Sequence, residues 1–248
     1  MSCSQTRSDL HHDRTQMKIV SLNIRHGGGK RIPRILEWLA QEEADFILLC
    51  EWRLNPAGLA LEQALKIRGY QTSGYARSEA ENGILIASKK THHTSRLTPS
   101  HAAKGELIKV TCDSVVLICG YFPQKNDKKP FFEVAITELS LGESPSLLIG
   151  DLNTGKNDVD LEEGATPFFC ANEFNDLEVN AGSQDLWRLC HGKSAKEWSW
   201  RSSKNGFRID HAFGNSALTT AFPKLFCRYE HSTRLEGISD HSALLVEL

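Results

Sequence analysis

The stretch Leu147–Gly155 reads LLIGDLNTG. A run of aliphatic residues suited to a buried strand stops at Gly-Asp-Leu-Asn, with a carboxylate and a carboxamide one residue apart. On a strand's period of two, Asp151 and Asn153 point the same way. Taken alone, the pattern suits a polar turn as well as a reaction site. Other apolar runs, and the residues at which they stop, decide between the two.

Lys18 to Asn23 (KIVSLN), Asp45 to Cys50 (DFILLC), Gly83 to Ser88, Glu106 to Thr111, Val115 to Tyr121 (VVLICGY), Ser146 to Ile149, Trp198 to Arg201, Phe207 to Phe213 (FRIDHAF) and Ala243 to Leu248 read as strands. Three segments have helical character: Arg31 to Asp45, with Ile32, Ile35, Leu36 and Leu39 at helical spacing and Pro33 in the first turn; Ala57 to Arg68, stopped by Gly69; and Pro130 to Leu141. Strands and helices do not alternate regularly. Stacked sheets with helices outside are therefore expected, not a wheel of βαβ units.

Length and composition agree. The chain has 248 residues, 40% of them hydrophobic, which is enough for one domain over residues 17–248 behind a polar leader at 1–16. A formal charge of -2 gives no basic surplus of the kind that announces a nucleic-acid binder, so any polyanion must meet a local patch. The seven cysteines form no C-x-x-C pair and sit mostly in apolar runs, as reduced, buried thiols do. With no signal-peptide core and no membrane-length apolar run, a cytoplasmic monomer is expected.

The acids and amides fall at strand ends: Asn23, Glu51, Tyr121, Asp151, Asn153, Asp210 and the pair Asp240-His241. Each has an ordinary reading. Asn23 could form a turn before Gly27-Gly28-Gly29, which lacks the Lys-Ser/Thr of a phosphate loop. Glu51 could pair with Arg53 and Asp210 with Arg208, and Asp240-His241 could cap a strand. Together they line one rim, where rigid elements can make side chains converge. Glu51, Asn23 and Asp240 offer hard oxygen ligands with little charge, which suits Mg²⁺ or Mn²⁺ better than Zn²⁺. His241 suits phosphate charge, with Asp210 orienting it; Asp151 is left to activate a water, with Asn153 holding that water or a phosphate oxygen. That set hydrolyses a phosphate ester.

The motifs SLN (21–23), LLCE (48–51), GYFP (120–123), GDLN (150–153), WSW (198–200), RID (208–210) and SDH (239–241) resemble, in order and spacing, the endonuclease/exonuclease/phosphatase superfamily. The resemblance runs from Lys18 to Leu248 and implies a four-layer α/β/β/α sandwich, two packed mixed sheets with helices on both outer faces, and a Mg²⁺-dependent phosphoesterase. It implies Glu51 as main metal ligand with Asn23 adjacent and Asp240 auxiliary. It further implies Asp151 as the water-activating acid beside Asn153, His241 paired with Asp210 at the phosphate, and Tyr121 supporting the phosphate. GYFPQ, QDLWR and WSWRSSKNGFRID look most like the exonuclease III and abasic-site endonuclease branch, which implies a DNA substrate.

Arg25, Lys30 and Arg31, and Lys125, Lys128 and Lys129, are candidates for backbone phosphates or else solvated loop charges. Of Trp52, Trp187, Trp198 and Trp200, most are expected in the core; Trp200 is carried as a substrate contact. The expectation is a Mg²⁺-dependent nuclease acting on DNA. A phosphatase or phosphodiesterase for small-molecule or lipid-headgroup esters is the enzymatic alternative, and an inactive binding module is the non-enzymatic one.

Overall fold

Runs such as FILLC and LLIG carry no polar alternation, which a strand tolerates when both its faces are covered. The computed structural model describes residues 17–112 and 115–248; the polar leader expected at 1–16 lies outside the described residues. In chain order the elements are β1 (Lys18–Asn23), α1 (Ile32–Glu42), β2 (Phe46–Trp52), α2 (Pro56–Ile67), β3 (Gln71–Tyr75), β4 (Gly83–Ser88), β5 (His93–Arg96), β6 (Glu106–Cys112), β7 (Val115–Tyr121), α3 (Lys129–Ser140) and β8 (Ser146–Asp151). There follow α4 (Ala171–Val179), β9 (Gln184–Asp185), α5 (Leu186–His191), β10 (Trp200–Arg201), β11 (Gly206–Phe207), β12 (Asp210–Gly214), α6 (Ser216–Ala221), β13 (Phe226–Glu230), α7 (Ser232–Leu235) and β14 (Ala243–Glu247).

Two six-stranded sheets result, in the orders β13-β14-β1-β2-β4-β3 and β5-β6-β7-β8-β12-β9. Alternate residues of each strand serve two cores. Ile19, Phe46, Leu48 and Ile86 of the first sheet meet Ile108, Leu117, Leu147 and Ile149 of the second. On the outer face of the first sheet, Val20, Leu22, Ile47 and Leu49 pack with Ile35, Trp38 and Leu39 of α1 and Leu61 and Leu65 of α2. Leu107, Ile118, Leu148 and Phe213 do the same with Phe131, Phe132 and Leu139 of α3 and Phe174 and Leu177 of α4. The layering is the expected α/β/β/α sandwich. Asn55 caps α2, its side chain accepting from Gly58 N at 3.0 Å, with Pro56 in the first turn.

β1 and β2 run parallel, as do β7 and β8, while β12 and β14 run antiparallel to β8 and β1. The ends of β1, β2, β7 and β8 and the starts of β12 and β14 therefore share one rim. The expected strand over 207–213 is broken at Arg208 and Ile209, because Arg208 turns inward to bury its guanidinium between Asp160 and Asp185. The segment expected as a strand at 198–201 shrinks to the two residues of β10. The polar strands β3 (QTSGY) and β5 (HTSR) carry too little hydrophobic pattern to be read from sequence; each pairs along one side with a buried or half-buried neighbour. Among the described residues no cysteine is in a disulfide, and Cys50, Cys112, Cys119 and Cys227 are buried. Among the described residues no helix is long and apolar enough to cross a membrane.

Candidate active site

Gly150 decides how β8 reaches the rim. Its φ is 146°, and a Cβ there would lie 1.9 Å from the Gly120 carbonyl oxygen. Only glycine lets β7 and β8 approach so closely, and the register sets Tyr121 beside Asp151. Asp151 then ends the strand, and Asn153, at φ 52°, turns the chain away. The simple period of two is thus broken. Asn153 N–H donates to Asp151 Oδ1 at 2.9 Å, and its side-chain Nδ2 donates to the Phe122 carbonyl at 2.8 Å.

Across the ladder from Asp151 stands Asp210. His241 Nδ1 lies 2.8 Å from Asp210 Oδ2. Ligand atoms of Asp151, Asp210 and His241 all fall within 4.8 Å of one another, and all three residues are buried. Burial, and then the Asp210 charge, push the Asp151 carboxyl up to about 7, against the opposing pull of His241. Burial by itself lowers the His241 imidazole, but the charge and hydrogen bond of Asp210 prevail and raise it to about 9. A carboxyl ready to take a proton thus sits beside an imidazolium. Arg208, which the sequence left free to pair with Asp210, is held by Asp160 and Asp185 instead.

Glu51 lies at a bulge between Cys50 and Trp52, with φ 62°. A glutamate in this region costs about 1–3 kcal/mol of strain that its surroundings must hold. Its Oε2 accepts His26 N–H at 2.7 Å, while Oε1 receives Asn23 Nδ2 at 3.2 Å and lies 3.4 Å from the Tyr121 hydroxyl. Arg53 does not pair with Glu51; its Nε binds Asn82 Oδ1 at 2.7 Å. Asn23 is buried and also donates to Asp151 Oδ2 at 2.9 Å, so one carboxamide ties Glu51 to Asp151. Ser239 Oγ donates to the Asn23 carbonyl, joining the end of β1 to the segment that carries Asp240 and His241.

Asp240 Oδ2 accepts Trp200 Nε1 at 3.3 Å and lies 3.6 Å from Arg25 Nε, whereas Asp240 Oδ1 is buried without a hydrogen-bond donor. A buried carboxylate oxygen with free lone pairs, on the segment that Ser239 ties to the end of β1, fits a hard divalent cation such as Mg²⁺ or Mn²⁺. Trp200 lies 6.4 Å, ring to ring, from His241 and is half-buried, unlike Trp52 and Trp187, which are core. Arg25 and Lys30 are exposed on the loop after β1. Lys125 is exposed in the short helical turn before α3, 45 residues from Cys170 in sequence but in contact with it through its carbonyl.

Two site residues escape a sequence reading, His26 and Asn82, which surround Glu51 and Tyr121; Lys128, expected as a phosphate contact or a solvated loop charge, is turned inward instead. Lys128 is buried, donates to the Asn153 carbonyl, and is brought down to about 8 by its burial. In sequence it is one of three lysines in a polar loop, and nothing there marks it out.

The family model described as Endonuclease/Exonuclease/phosphatase matches residues 20–241. No curated protein matches the chain by sequence. Among solved structures, an AP endonuclease from Archaeoglobus fulgidus superposes with a TM-score of 0.76 at 20% identity, over 93% of this chain and 98% of that one. The 3′ phosphatase NExo from Neisseria, bound to a product DNA hairpin, gives 0.78 at 22% identity, and the 3′-5′ exonuclease NExo from Neisseria meningitidis 0.77 at 22%, each with the same coverage.

Proposed function

The chain belongs to the endonuclease/exonuclease/phosphatase family of phosphoric ester hydrolases, and on that premise we propose that it is a divalent-metal-dependent phosphodiesterase that cleaves DNA. The observation that carries the reading is the buried triplet Asp151, Asp210 and His241, with the His241–Asp210 hydrogen bond inside it. An inactive binding module has no use for a costly buried arrangement of this kind.

Glu51, with Asn23 beside it and Asp240 as a further oxygen ligand, would hold the cation, which when bound polarises the phosphoryl oxygen and stabilises the leaving oxygen. Mg²⁺ is the natural occupant, with Mn²⁺ able to substitute. Asp151 takes the proton of the attacking water. Its raised pKa suits a base working near neutrality. His241, held in one orientation by Asp210, places positive charge where the phosphorane-like transition state gathers negative charge. Burial and the neighbouring Glu51 push the Tyr121 phenol up, so it stays protonated and able to donate to a phosphate oxygen. Asn153 shapes the turn beside Asp151, and its carboxamide oxygen is the part left for substrate or water. Arg25, Lys30, Lys125 and Trp200 complete the proposed contact surface. The DNA substrate is supported by the kinds of enzyme the fold resembles: one is named for AP sites, one for 3′-5′ exonuclease activity, and one holds a DNA product. The buried thiols of Cys50, Cys119 and Cys227 support a reducing, cytoplasmic setting, and a monomer is proposed with it.

The test is one panel of abasic duplex, nicked duplex, single-stranded DNA, RNA and simple phosphate esters, with Mg²⁺, Mn²⁺ or EDTA. Metal-dependent cleavage of a DNA member is expected. Hydrolysis of small esters with no polynucleotide cleaved would transfer the assignment to a small-molecule phosphoesterase.

A further inference from the structure

One ionic group outside the triplet touches the same rim. Glu106 opens β6 and faces Tyr121 across the β6–β7 ladder, so the two side chains share a sheet face. Glu106 is buried, its side chain 2% exposed. Arg96 grips it with both arms, Nε to Oε2 at 3.0 Å and Nη2 to Oε1 at 2.5 Å, and Thr98 Oγ1 adds a bond at 2.8 Å.

A second guanidinium arrives from the other sheet. Arg77, in the segment between β3 and β4, brings Nε to 3.8 Å from Glu106 Oε1 and donates Nη1 to the Ala102 carbonyl. The same segment carries Asn82, whose Nδ2 lies 3.4 Å from the Tyr121 hydroxyl. One buried carboxylate thus holds two arginines beside the phenol, with one positive charge in surplus.

A pin between sheets needs a single arginine. Here two are present, and their side chains stay 28% and 44% exposed. Glu106 is buried while the arginines are not, so one side of each guanidinium stays open to solvent. What they do well is present oriented guanidinium N–H groups to an anion, with Glu106 holding the forks in place.

We propose that Arg77 and Arg96, held by Glu106, form a backbone-phosphate subsite on the Tyr121 side of the scissile ester. The inference rests on the reading of the chain as a nucleic-acid phosphodiesterase and deepens it. The substrate is a strand that extends past the reacting phosphate toward β6, and a neighbouring phosphate of that strand lies against the two arginines.

Arg77→Ala and Arg96→Ala test it, measured on a DNA oligonucleotide that the wild type cleaves and on bis(p-nitrophenyl) phosphate, with the thermal midpoint as fold control. For the oligonucleotide, kcat/KM should fall about tenfold per arginine, mainly through KM, and its log–log salt dependence should become shallower by about 1. Hydrolysis of the small ester should stay at the wild-type rate. Arg77→Lys should keep the salt slope, since it keeps the charge. Unchanged oligonucleotide cleavage and salt slope would overturn the subsite and leave the proposed function standing. Equal loss on both substrates, or a lowered midpoint with no change in slope, would make the arginines an inter-sheet pin only. A wild type that hydrolyses the small ester and no polynucleotide would overturn the parent reading and the subsite with it.

Discussion

His241 Nδ1 sits 2.8 Å from Asp210 Oδ2, and this one contact sets both the direction and the charge of the imidazole. With Nδ1 engaged, Nε2 is the nitrogen left for substrate. Asp210→Asn removes the charge that holds the imidazole up and leaves burial to lower it. In a pH–rate profile the basic limb should move to lower pH by one unit or more, with the rate at its optimum reduced about 10²-fold. A basic limb that stayed in place would mean that another group sets it.

The same pair links stability to pH. His241 titrates at about 9 in the fold against an ordinary 6.5, so its contribution is complete below about 6.5 and is lost as pH rises through about 9. Urea unfolding at pH 6.5 and at pH 9.5 should show the wild type losing about 2 kcal/mol more than His241→Gln over that interval.

Asp151 runs with the opposite consequence for design. Its folded pKa is raised from 3.8 to about 7, so the ionised form demanded near neutrality burdens the fold. Asp151→Asn is expected to lower turnover by at least about 10²-fold while leaving the thermal midpoint at pH 8 equal to or above that of the wild type. A variant that melted early would show that Asp151 serves structure first.

Glu51→Gln should weaken Mn²⁺ binding by at least about tenfold in calorimetry, and Asp240→Asn by less, since Asp240 is proposed as the auxiliary ligand. EDTA should abolish turnover by the wild type, and added Mg²⁺ or Mn²⁺ should restore it. Wild-type affinity in Glu51→Gln would remove it from the ligand set.

Gly150→Ala should be among the most damaging small substitutions. The new Cβ would fall on the Gly120 carbonyl at a φ that side chains rarely adopt. A loss above about 3 kcal/mol in chemical denaturation is expected.

How much of this was legible depended on the kind of residue. Glu51, Asp151, Asp210 and His241 stand out because apolar runs end on them, and strands buried on both faces leave few places for such groups. The two-sheet layering was legible for the same reason, since FILLC and LLIG need cover on both sides. Side-chain direction was not legible where the backbone leaves the strand. Asn153 at φ 52° turns its carboxamide to Phe122, and no period of two foresees that. Nor does sequence separate the buried Lys128 from the exposed Lys125 and Lys129, because the difference is made by Asn153, 25 residues away. Arg208 finds Asp160 from 48 residues off and Asp185 from 23. Pairings of that range are decided by the packed fold, and nearest neighbours such as Asp210 mislead.

The bond from Ser239 to the Asn23 carbonyl spans 216 residues. β1 pairs on one side with β2, which follows it closely, and on the other with β14, the last strand of the described residues. The second sheet, by contrast, is one unbroken stretch from β5 to β12 and can assemble in the meantime. Contacts this distant in sequence form slowly. On the proposed assignment, a partly folded chain in which Glu51 and Asp151 are in place but the segment before β14 is not still lacks His241, and is expected to be hydrolytically silent. The proposed chemistry is therefore tied to completion of the first sheet, and a chain that has not yet closed it holds its acids without their imidazole.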